Sequence, residues 1–74
     1  MDEIWSATMD DHTYNVVVTR EEDYTGRLVV SEITSGRVLL DQKVDLAYGA
    51  RFGPDADDVR TWQELAEQAV DQGK

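Results

Sequence analysis

Cysteine is absent from this 74-residue chain, proline occurs once, and aromatic residues make up 8% of it. Without thiols there is neither a disulfide framework nor a thiolate metal site, so a core this small has to hold by packing alone. No apolar run exceeds three residues, as in Val16 to Val18 and Val38 to Leu40. A membrane-spanning helix needs roughly 20, so no span is expected. Basic residues are scarce too. Seven stand against sixteen acidic ones, and the resulting net charge of −9 opposes contact with nucleic-acid phosphates or an anionic membrane. The first residues, Met1-Asp2-Glu3, are acidic where an export signal is basic, and no apolar stretch follows them. A cytoplasmic location is the expectation.

The groups that carry chemistry are equally sparse. The single histidine, His12, follows Asp10 and Asp11 in a turn-forming stretch, where successive side chains diverge and no second set of ligands is near in sequence. Asp55, Asp57 and Asp58 lack the other acidic positions and the glycine of a calcium loop, and helix capping accounts for all three. Ser6, Ser31 and Ser35 have no base beside them, and none of the five glycines belongs to a phosphate-cradling motif. The expectation is a noncatalytic protein with no cofactor, metal or small-molecule substrate.

What the chain does contain is a globular balance, 41% apolar and 31% charged, in a length that holds one core. Residues 1–74 therefore read as one acidic domain. Ile4 to Met9 alternates as a strand with Trp5, Ala7 and Met9 on one side. Tyr14 to Thr19 is rich in β-branched residues and predicts a second strand, with Met9 opposite Tyr14, Ala7 opposite Val16 and Trp5 opposite Val18. Arg20 to Gly26 reads as a loop and Leu28 to Thr34 as a third strand. Ser35-Gly36 then predicts a two-residue hairpin turn into a fourth. With Thr34 opposite Arg37, that turn pairs Ile33 with Val38, Ser31 with Leu40, Val29 with Gln42 and Arg27 with Val44 on the core face.

After a loop over Leu46 to Gly53, Asp55 is placed to cap a helix whose Val59, Trp62, Leu65, Ala66, Ala69 and Val70 form one apolar stripe, ending near Gly73. The fold class that follows is α+β. It is a four-stranded antiparallel β-meander with one C-terminal amphipathic helix packed on one face, a ββββα two-layer sandwich. Trp62 is expected over Trp5, Val16, Val18, Val29 and Val38.

One helix covers one face, so the other face, with Val17, Leu28, Val30 and Leu39, is expected to be an exposed interface for a protein partner or a second copy in a homodimer. The Tyr48-Gly49-Ala50-Arg51-Phe52 segment offers a second candidate: Tyr48, Arg51 and Phe52 are residue types favoured at binding hot spots, although the two aromatics are better suited to plugging the end of the core. The order of strands followed by a helix resembles HicB-type antitoxins, whose small domains neutralise a toxin. The glycine-containing motif before the helix in that family has no counterpart here. Two functions are thus in view, an interaction or accessory domain acting through its sheet face, and an acidic inhibitor or antitoxin-like protein that neutralises a basic or nucleic-acid-binding partner. Salt separates them, because only the second should lose affinity steeply as ionic strength rises.

Overall fold

A computed structural model describes residues 2–46 and 54–73, the side chain of Asp2 excepted. Four strands, β1 (Asp2–Met9), β2 (Tyr14–Glu22), β3 (Thr25–Glu32) and β4 (Val38–Asp45), precede one helix, α1 (Ala56–Gly73). The strands form one antiparallel sheet in the order β1-β2-β3-β4, with α1 on one face. This is the ββββα arrangement expected from the sequence.

The first hairpin has the expected register, with Met9 opposite Tyr14, Ala7 opposite Val16 and Trp5 opposite Val18. Its turn is unusual. Asp10, Asp11 and His12 take φ values of 53°, 55° and 66°, three successive left-handed residues without a glycine among them. Aspartate tolerates that conformation better than most side chains, and the Thr13 amide closes the turn on the carbonyls of Met9 and Asp10.

Between Arg20 and Gly26 the chain does not loop out. Both strands continue, through an irregularity between Arg20 and Glu22, to a tight turn at Asp23-Tyr24. Gly26 is buried opposite Arg20, and a Cβ there would collide with the Thr19 carbonyl oxygen, so the close approach of β2 and β3 requires glycine.

The third hairpin departs from expectation in a way that inverts β3. Its loop has four residues, Ile33 to Gly36, instead of the two-residue Ser35-Gly36 turn: the Glu32 amide donates to the Arg37 carbonyl and the Gly36 amide to the Glu32 carbonyl, with Gly36 at φ 75°. Ser31 then lies opposite Val38, but the register shifts at Leu39, and from there Val30 pairs with Leu40, Leu28 with Gln42 and Gly26 with Val44. A one-residue shift exchanges the two faces. Leu28 and Val30 therefore join Val16 and Val18 beneath the helix, each 0% exposed, whereas Val29 and Val38 lie on the uncovered face.

The helix begins as expected. Asp55 accepts a hydrogen bond from the Asp58 amide at 2.8 Å, and the Val59 amide donates to the Asp55 carbonyl. Its stripe buries Trp62, Ala66, Ala69 and Val70, with Val59 and Leu65 packed at the margins. Trp62 sits in the centre of the core and meets Trp5 with ring centroids 5.7 Å apart and planes tilted by 44°. At the other end Arg37 donates to the Gly73 carbonyl at 3.3 Å, bringing a positive charge to the negative end of the helix dipole. The helix thus runs over the sheet from Trp5 toward the turns that follow β1 and β3.

Candidate functional site

The expected apolar interface does not form. Leu28 and Val30 are core residues for the reason just given, and Leu39, the residue passed over by the register shift, turns toward α1, where its Cδ2 would lie 3.0 Å from a Cβ placed on Gly73. Of the proposed stripe only Val17 lies on the uncovered face. Tyr48, Arg51 and Phe52 fall outside the described residues.

The uncovered face is instead mostly polar. Its rows across the sheet are Thr8, Asn15, Ser31 and Val38; then Ser6, Val17, Val29 and Asp41; then Thr19, Arg27 and Lys43. Val17 and Val29 are half-buried between their neighbours, and Val38, at 55%, is well exposed. Arg27 lies across this face. Its Nε donates to Glu21 at 2.6 Å and its Nη1 to Asp41 at 2.5 Å, tying β2 to β4 over β3. The hydrogen bond to Asp41, and then that to Glu21, raises its pKa above an already high ordinary value, so Arg27 stays charged at every accessible pH. Being partly exposed, the pair of bridges orders side chains more than it stabilises the fold. Such a face can meet solvent or a polar partner without a large apolar contribution to binding.

The second surface is the outer side of α1. Asp57, Arg60, Glu64, Glu67 and Asp71 recur at intervals of three and four, so they form one exposed row along the helix. Arg60 pairs with Asp57 at the N-terminal end. Farther along, Glu64, Glu67 and Asp71 follow one another with no basic residue between them, and the last turn contains none. The third surface is the seam between α1 and the end of β1, a groove of about 280 Å³ floored by Met9 and Val70 and edged by Asp10, Glu67 and Asp71.

His12, in the first turn, shares a hydrogen bond of 3.0 Å with the Thr8 hydroxyl through Nδ1. Among the described residues no polar or charged residue is buried, and no group of histidine, aspartate and glutamate side chains is arranged to hold a metal ion. No described helix is long and apolar enough to cross a membrane. Comparison with protein-family models, with curated proteins and with solved structures finds no match to this chain.

The acidic row was open to sequence reasoning, since its spacing is visible once the apolar stripe sets the helix phase. The seam was not, because Met9 and Val70 meet only through the folded sheet.

Proposed function

We propose that this chain is a small noncatalytic binding domain whose partner is a protein with a basic surface, and that it acts by neutralising that surface. The observation that carries the proposal is the run of Glu64, Glu67 and Asp71 along the outside of α1. Like charges three and four residues apart on a helix repel each other, and Asp71 lies near the end of the dipole that disfavours anions. The arrangement therefore costs the isolated fold stability, and a cationic partner would relieve that cost. The reading the sequence put first, docking through an apolar sheet face, has lost Leu28, Val30 and Leu39 and has no comparable feature behind it.

The test is capture from a lysate of the source cells, with wild-type protein and with the variant Glu64→Gln/Glu67→Gln/Asp71→Asn as bait, at low and high salt. The expected result is a basic protein held by the wild type at low salt, released by high salt and missed by the variant. A partner held equally by both baits in high salt would reject the electrostatic reading and return attention to the uncovered sheet face.

A further inference from the structure

The sheet has two lateral edges, and they are built differently. The β4 edge carries exposed Asp41, Lys43 and Asp45 and is broken by the shift at Leu39, which are features that keep other strands away. The β1 edge has an irregularity between Glu3 and Trp5, but Trp5 to Met9 pairs regularly with β2 and contains no charge, no proline and no glycine. On its outer side, half of the backbone N–H and C=O groups of this segment face away from the sheet. Trp5, Ala7 and Met9 are only half-buried on the helix side, while Ser6 and Thr8 are exposed on the other.

We propose that the outer edge of β1 accepts an extended segment of another protein as a fifth strand, antiparallel to β1, with apolar residues on the helix side, polar residues on the other and an arginine or lysine at its N-terminal end. The proposal deepens the basic-partner reading and rests on it. Backbone pairing along Trp5 to Met9 would supply the hydrogen bonds, and alternate side chains would lie beside Trp5, Ala7 and Met9. Antiparallel pairing brings the incoming N-terminal end to Met9, where the seam begins. There an arginine or lysine stem fits the Met9–Val70 floor and its charged head reaches the rim of Asp10, Glu67 and Asp71. A second copy of this chain is a poor occupant. Two-fold pairing of β1 with itself would set Glu3 of one copy toward Asp10 and Asp11 of the other, in molecules that each carry −9.

The probe is the N-acetylated peptide amide Arg-Thr-Val-Thr-Val-Thr, whose alternation puts the arginine and both valines on the helix side, titrated into the isotope-labelled protein while backbone amide resonances are followed. Adjacent strand residues point their backbone groups to opposite sides, so of Ser6→Pro and Ala7→Pro one removes a bond to β2 and the other blocks only the outer edge; urea melts identify which is which.

The expected result is saturable movement of the Trp5 to Met9 amides, lost in the proline variant that melts like wild type, and an affinity about tenfold weaker in Glu67→Gln/Asp71→Asn or when glutamate replaces the peptide's arginine. Absence of binding at millimolar peptide, binding unaffected by the edge-blocking proline, or a β1-to-β1 dimer in sedimentation would each overturn the proposal. If the peptide fails while lysate capture still depends on the helix carboxylates, the edge strand alone is rejected; if both fail, the basic-partner reading falls with it.

Discussion

Trp62 is the residue on which the two layers meet. It is 1% exposed, it touches Trp5 from the first strand, and it is the largest fully buried side chain. Truncation of such an aromatic costs about 3 to 5 kcal/mol, and small domains have little more than that in total. Trp62→Ala is therefore expected to leave the chain largely unfolded in urea titrations at room temperature, whereas Trp62→Phe should retain a cooperative transition. The opposite effect is expected in the first turn. Asp11 is held at φ 55°, a conformation that costs a side chain about 1 to 2 kcal/mol relative to glycine, while glycine loses about 0.5 to 1 kcal/mol through its freer unfolded state. Asp11→Gly should consequently raise the urea midpoint by the equivalent of about 0.5 to 1 kcal/mol. A lower midpoint would mean that Asp11 makes compensating contacts in the turn.

Among the elements, the helix was the most legible in the sequence, because its cap and its apolar stripe are both local signals. Asp55→Ala should lower stability by about 0.5 to 2 kcal/mol, read as a shift of the thermal midpoint, and millimolar calcium or magnesium should not alter the size of that shift. The first hairpin was the next most legible, since its register follows from the residues of Trp5 to Met9 and Tyr14 to Val18 that share a face. The third strand was not. Leu28, Val29 and Val30 are all apolar, so its facing depends on the pairing, and the two-residue turn suggested by Ser35-Gly36 sets a pairing that the Ile33–Gly36 loop and the irregularity at Leu39 together displace by one residue. A weaker local signal pointed the right way: Arg27 and Ser31 flank Val29 in alternation, whereas Leu28 and Val30 stand beside Gly26. The candidate interface failed with the facing of β3, since it drew two of its residues from there. The edge of β1 and the seam beside it depend on strand order and on where α1 ends, which are properties of the assembled fold.

For the whole molecule, charge is the dominant surface property. At −9 on 74 residues, compaction brings carboxylates together, the outer row of α1 among them, and the folded state is destabilised by self-repulsion. Raising sodium chloride from about 0.05 to 0.5 M shortens the screening length from over 10 Å to under 5 Å. The urea midpoint is expected to rise over that range, with a smaller rise in Glu64→Gln/Glu67→Gln/Asp71→Asn. A midpoint insensitive to salt would show that the carboxylates are balanced within the fold. The tilted pair of Trp5 and Trp62 also has an optical consequence. Two indoles at this separation, with planes neither parallel nor perpendicular, couple their electronic transitions, so the folded protein should show a paired positive and negative signal in circular dichroism that either Trp5→Phe or Trp62→Phe removes. That signal reports the docking of the first strand against the helix separately from helix content, and it lies beside the edge where a fifth strand would add.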